Sequence, residues 1–193
     1  MPSAPKILAR QRVAQSTLFS VEQLELEFSN GTRRTYERLI TSGGPPAVMM
    51  VPITSDDKLL LIREYSAGTN SYQLSLPKGA VDEAESSEDA VHRELREEVG
   101  VDARKLQHLK RMTLAPGYMQ YTIDCYLCWD LYPASLEGDE PEPLEVVAWP
   151  IAELEQLFER EDFSEGRAIA AIYLALQAQQ RLCLSANASE DSL

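Results

Sequence analysis

Cysteine is scarce in this chain: three residues, an odd number, give no disulfide framework and point to a reducing compartment, read here as the cytoplasm. Basic side chains are the minority, 18 Lys and Arg against 31 Asp and Glu, and the resulting net charge of −13 repels phosphate backbones and argues against polymeric nucleic acid as a partner. Long apolar runs are also missing. The longest, Ala168 to Leu176, is about half of the roughly 20 residues needed to cross a bilayer, and the opening MPSAPKILARQR lacks the apolar segment of a signal peptide. Neither membrane insertion nor export is expected. No GxSxG elbow, Walker loop or dinucleotide-binding glycine motif occurs, so serine hydrolysis, ATP-driven work and redox catalysis lack support. What remains is an ordinary globular composition, 44% hydrophobic and 25% charged, over 193 residues, which suits one folded domain with a small appendage.

Alternation organises the first part of the chain. Leu24, Leu26 and Phe28 share one face, Glu25 and Glu27 the other, and Asn30-Gly31 separates this run from a second one, Thr32 to Leu39, which predicts a β-hairpin. Thr41 to Pro46 breaks the pattern. Strands are then expected over 47–53 and 58–64, a helix over 87–99 capped by Ser86 and stopped by Gly100, strands over 106–113 and 121–129, a loop over 132–143, an extended piece over 144–149, and helices over 151–160 and 165–182. The last helix carries apolar residues at Ile169, Ile172, Tyr173 and Leu176. The pattern predicts an α+β fold, a mixed sheet covered on both faces, preceded by the hairpin. The expected boundaries are 1–45 for the hairpin region, 46–184 for the main domain and 185–193 for a disordered tail. Cys125 and Cys128 form a CxxC spacing inside an aromatic and β-branched run; residues three apart on a strand face opposite ways, which favours two core cysteines over a zinc or redox pair. His92 and His108 have no nucleophile pattern nearby and read as structural or surface groups.

Chemistry concentrates in Arg93-Glu-Leu-Arg-Glu-Glu-Val-Gly100. On a helix, Glu94, Glu97 and Glu98 fall within one arc, where like charges repel each other and oppose the helix dipole. One reading is a solvated acidic face relieved by Arg93 and Arg96. The other is a ligand set for Mg²⁺ or Mn²⁺, which prefer carboxylate oxygens with substrate phosphates completing the shell.

The surroundings favour the second reading. Gly79, five residues, Glu85, seven residues, then Arg93-Glu94-Leu95, one residue, Glu97-Glu98, one residue and Gly100-Val101 is similar to the Nudix box at every specified position. The resemblance implies the Nudix hydrolase superfamily: an α/β/α sandwich whose box binds a divalent metal and cleaves a nucleoside diphosphate linked to another moiety. It implies that Glu94 and Glu98 are direct metal ligands, Glu97 a further ligand or the base, and the Lys78 carbonyl an additional contact. Arg93 is then expected to orient carboxylates, Glu85 to hold the loop or the metal site, and Gly79 and Gly100 to permit backbone turns.

Pro116, fifteen positions after the box in Leu-Ala-Pro-Gly-Tyr, resembles the marker of the ADP-ribose pyrophosphatase group, and Tyr118 a tyrosine of diadenosine polyphosphate hydrolases. The motifs of NADH and coenzyme A pyrophosphatases are absent. Stretches between Leu18 and Trp149, among them Leu-Ile-Arg-Glu-Tyr and Asp-Leu-Tyr-Pro-Ala-Ser-Leu-Glu-Gly-Asp-Glu-Pro-Glu-Pro-Leu, resemble bacterial ADP-compounds hydrolases. That resemblance implies cleavage of ADP-ribose, diadenosine triphosphate and NADH to AMP and a phosphorylated product. It also implies a homodimer through the N-terminal strands, with Tyr36 stacking on adenine and Arg38 touching the nucleotide. Arg63 is placed to meet a phosphate, and Glu140 and Glu142 match a glutamate loop that supplies a base or ligand. Ser66 and Gln120 depart from the pattern, where relatives carry a substrate-binding arginine and a glutamate. The alternatives are a Nudix hydrolase of another nucleoside diphosphate derivative, such as a nucleotide sugar or RNA cap, and a non-catalytic ADP-ribose-binding module.

Overall fold

Along the chain, alternating and apolar runs form β1 (Lys6–Gln15), β2 (Phe19–Glu27), β3 (Arg33–Thr41), β4 (Ala47–Pro52), β5 (Lys58–Ser66), β6 (Ser71–Ser75), β7 (Lys78–Ala80), α1 (Ser87–Glu94), β8 (Val101–Thr113), β9 (Met119–Gln120), β10 (Thr122–Pro133), β11 (Glu145–Pro150), α2 (Leu154–Phe158) and α3 (Gly166–Glu190). These elements belong to a computed structural model that describes residues 3–41 and 46–190, without side chains for 41 and 181–190. Most of the expected break at Thr41 to Pro46, the side chain of Cys183 and residues 191–193 thus lie outside the described residues. The chain divides into two units, residues 3–41 with 113–122, and residues 46–112 with 123–190.

In the first unit the hairpin forms as expected, with Glu27 opposite Arg33. Gly31 takes φ +78° and its N–H donates to the Phe28 carbonyl at 2.9 Å, a left-handed turn position that suits glycine. The sheet is wider than a hairpin: its order is β1-β2-β3-β9. The extra strand β1 escaped the sequence reading because all ten of its residues are exposed, so KILARQRVAQ carries no one-sided burial pattern.

In the second unit, β7-β4-β10-β8 and β11-β5-β6 form the two sheets, with β4 and β10 parallel and the other named pairs of β4 and β5 antiparallel. All of β4 is buried, which requires cover on both faces. Val48 and Met50 of β4 cluster with Leu60 and Ile62 of β5 and with Ala90, Val91, Leu95 and Val99 from the helical segment at 87–99. Fully burying one such leucine or isoleucine contributes about 1.5–3 kcal/mol. α3 packs against β4 as well, completing the helix, sheet, helix layering.

Three details differ from the sequence reading. The stripe that α3 buries is Ala168, Ala171, Ile172, Ala175 and Ala178, while Tyr173 is exposed and stacks on Phe158 at 5.3 Å; small residues let the helix approach closely, which an apolarity count undervalues. The backbone of α3 runs on to Glu190, into the stretch expected as a tail, since no Gly or Pro follows Gly166 to stop it. The expected helix at 151–160 is a 3₁₀ turn, Ile151–Glu153, followed by the short α2. Cys125 and Cys128 are both fully buried core residues of β10, and burial pushes the Cys125 thiol up to about 12.

Candidate active site

α1 starts in a capping box: the Ser86 hydroxyl accepts from the Asp89 N–H while the Asp89 carboxylate accepts from the Ser86 N–H. It does not continue as an α-helix to Gly100. Leu95–Val99 is a π-turn, closed by the Gly100 N–H donating to the Leu95 carbonyl, with Gly100 at φ +73°. The apolar stripe Ala90, Val91, Leu95 and Val99 stays locked in the core, and the widened turn places Glu97 and Glu98 differently from the regular arc read in the sequence.

The opposite face holds the carboxylates. Glu94 and Glu98 are nearly buried, with 8% and 7% of their surfaces exposed. Glu98 Oε2 accepts from the Lys78 backbone N–H at 2.8 Å. Burial pushes the Glu98 carboxyl up to about 8, helped by the Glu94 and Glu64 charges and opposed by Lys78. Glu94 is also raised, by burial first, with Glu97 and Asp139 adding to it and Arg93 opposing. Gly79 is a glycine for space, not for a turn: a Cβ there would sit 1.9 Å from Glu94 Oε1.

Arg93 clasps the box from within. Its Nε and Nη2 each lie 3.0 Å from a Glu85 oxygen, Nη2 donates to the Ala80 carbonyl at 2.8 Å, and Nη1 reaches Glu94 at 2.7 Å and Glu97 at 3.0 Å. Those partners raise its pKa, Glu85 foremost, so the charge is permanent. Glu85, held below the ordinary carboxylate range by Arg93 and accepting from the Asp82 N–H, ties down the loop.

A cavity of about 300 Å³ opens on this face, lined by Glu94, Glu97, Glu98 and the loop Glu137 to Leu144, which includes Glu140 and Glu142. The loop is anchored next to the box, because the Ala134 and Leu136 N–H groups donate to the carbonyls of Gly100 and Arg96 at 3.1 and 3.0 Å. Glu142 accepts from the Tyr72 hydroxyl of β6. A second cavity, about 290 Å³, is lined in part by Glu64 and by Lys78, whose ammonium pairs with Glu64.

Residues 44–172, most of the chain, match the family model described as the NUDIX domain. The chain belongs to the Nudix hydrolase family. Residues 5–38 match a second model, the NudE-type Nudix hydrolase N-terminal domain. This Nudix chain is 51% identical over 170 residues, 88% of its length and 90% of the relative's, to the ADP compounds hydrolase NudE of Escherichia coli strain K12. It is 27% identical to the ADP-ribose pyrophosphatase of Bacillus subtilis strain 168, across 91% of this chain and all of that one. Among solved structures it is similar to a crystal structure of ADP compounds hydrolase, with a TM-score of 0.87 and 47% identity over 94% of this chain and 97% of that one.

The Nudix box residues fit a divalent cation by the chemistry of their donors: hard carboxylate oxygens, with Glu94 and Glu98 buried and raised by burial and Arg93 holding Glu94 and Glu97. Among the described residues no three such side chains converge on one point as they stand, because Arg93 Nη1 lies between Glu94 and Glu97. Glu94, Glu97, Glu98, Lys78, Glu140 and Glu142 all lie in the second unit. Tyr36, Arg38, Pro116 and Tyr118 lie in the other unit. There Tyr36 is half exposed beside Phe28, Arg38 forms a cross-strand pair with Glu22, and Pro116 and Tyr118 occupy the turn whose Tyr118 carbonyl accepts from Leu39. Arg63, expected to meet a phosphate, is held at 2.8 Å by both Glu145 and Asp162. Sequence reasoning missed Glu64 and Tyr72; their side-chain partners, Lys78 and Glu142, lie 14 and 70 positions along the chain, and no local spacing signals them.

Proposed function

We propose that this Nudix hydrolase cleaves ADP-linked small molecules, ADP-ribose, diadenosine triphosphate and NADH among them, to AMP and a phosphorylated partner. The observation that carries the reading is the 51% identity to an ADP compounds hydrolase over nearly the whole chain, with the box intact in this sequence. Glu94, Glu98, Glu97 and the Lys78 carbonyl would hold Mg²⁺ or Mn²⁺. Bound there, the ion supplies charge neutralisation and an acidified water. Arg93 keeps Glu94 and Glu97 aligned, and Glu97, Glu140 or Glu142, all lining the one cavity, takes the proton of the attacking water.

Tyr36 and Arg38 are assigned to the adenine and its nucleotide, with Pro116 and Tyr118 shaping the same substrate, while the double ion pair of Arg63 gives it a structural role. The exposed ten-residue edge strand β1, with Ile7, Leu8 and Val13 uncovered, supports a homodimer through the region 1–45, beside a catalytic domain at 46–184. A cytoplasmic location is consistent with the free, buried cysteines, and among the described residues no helix is long and apolar enough to cross a membrane. The test is nucleoside monophosphate release from ADP-ribose, diadenosine triphosphate, NADH and a uridine diphosphate sugar, each with Mg²⁺, Mn²⁺ or EDTA. Metal-dependent release from the three adenine compounds is expected; release from the nucleotide sugar alone would overturn the substrate assignment.

A further inference from the structure

The loop across the carboxylate cavity carries two glutamates, and their surroundings differ. It is fixed at one end by Leu136 on the Arg96 carbonyl and at the other by β11, whose Glu145 pairs opposite Arg63. Between these ends, among the described residues, the one side-chain hydrogen bond is that of the Tyr72 hydroxyl to Glu142. Tyr72 is itself set: it lies opposite Tyr65 across β5 and β6, the rings meet edge to face at 5.8 Å, and the Tyr65 hydroxyl donates to Asn70 at 2.7 Å. Pro141 and Pro143 flank Glu142 and limit where its backbone can go. At Gly138 the loop lies against the box, where a Cβ would stand in ordinary contact with Glu97 at 3.4 Å.

We propose that Tyr72 is a positioning residue for hydrolysis, latching the loop through Glu142, and that Glu142 is an anchor while Glu140 is the loop glutamate left to reach the reacting water. This rests on the hydrolase reading above and divides roles that the sequence leaves shared. A hydrogen-bond anchor needs an acceptor, not a charge. Gln at 142 therefore retains it and Ala does not, whereas a base or metal ligand loses its function with either.

The experiment has two arms. Hydrogen exchange of the metal-free, substrate-free full chain reads the latch without any turnover: Tyr72→Phe is expected to speed exchange of amides in 137–142 about three- to tenfold, with the box helix unchanged. Kinetics with ADP-ribose read the role. Tyr72→Phe and Glu142→Ala are each expected to lower kcat about three- to tenfold with KM little changed, and the double variant to be no worse than either alone. Glu142→Gln should recover part of the kcat that Glu142→Ala loses, while Glu140→Gln loses about a hundredfold or more. Unchanged exchange in Tyr72→Phe overturns the latch, and Glu142→Gln as damaged as Glu140→Gln overturns the division of roles. Failure to release AMP from any adenine compound, with faster exchange in Tyr72→Phe, would defeat the substrate reading and leave the latch standing.

Discussion

Two buried carboxylates in the catalytic unit, Glu98 and Asp124, are both nearly inaccessible, yet their pKa values move in opposite directions. Burial raises both. At Asp124 it is outweighed by Arg111, 2.6 Å away, and by His108 at 3.0 Å, which hold the group below the ordinary carboxylate range. Glu98 has one backbone N–H and a lysine whose charge Glu64 shares. The lesson is that burial marks neither structure nor function; what separates the two sites is whether the protein's own cations complete the charge. Asp124 is completed by cations within the fold, and Glu98 is not.

The largest effect that could break this contrast is at Glu98. Glu98→Gln should lower kcat about 10³-fold and abolish the rise in Tm that Mg²⁺ gives the parent, with a metal-free Tm close to the parent's. Calorimetry with and without Mg²⁺ reads both, and a persisting Mg²⁺ shift would remove Glu98 from the ligand set. Next comes Gly79→Ala. Its Cβ collides with the movable end of Glu94, so the fold should survive while turnover drops about a hundredfold; a simple loss of folding would mean that the backbone is what yields.

Much of this was legible in the sequence. The box spacing, the Ser86 cap, the buried stripe of Val91, Leu95 and Val99 and the Asn30-Gly31 hairpin are local patterns with local causes. What was hidden depends on partners far along the chain. The π-turn arises where core packing and the Gly100 cap disagree with the α-helical period, Tyr72 meets Glu142 across seventy positions, and Arg63 finds Glu145 and Asp162 only once β5 pairs with β11. The alanine stripe of α3 was obscured because apolarity draws attention to Ile169 and Tyr173, while close packing selects the small residues beside them.

Smaller effects sharpen the other side of the comparison. Asp124→Asn should cost about 1–2 kcal/mol of stability at pH 7 and leave kcat within about twofold, because Arg111 and His108 lose the partner charge and one of its two acceptor oxygens. The sign with pH follows from the lowered value. The contribution of Asp124 is full above the unfolded carboxylate pKa near 4 and fades as pH falls through the folded value. The stability gap between parent and Asp124→Asn should therefore be constant from pH 7 to about 5 and narrow below about 4, read by urea unfolding; a gap that widens in acid would reverse the assignment. The smallest effect is expected at Asp162. It too is held low, by Arg160 and then by Arg63, but it is more exposed, so Asp162→Asn should narrow in the same acid range from a smaller starting gap.

The π-turn at Leu95–Val99 also bears on portability. It exists because Leu95 and Val99 are held in the core while Gly100 closes the wide turn, so its geometry belongs to the sheet beneath as much as to the segment. Cut out as a peptide, residues 87–100 would lose that template, and any helix they formed would revert to the ordinary period and give up the placement of Glu97 and Glu98 that the π-turn sets. The box travels between proteins as a string of letters, but its shape has to be rebuilt by each host fold that receives it.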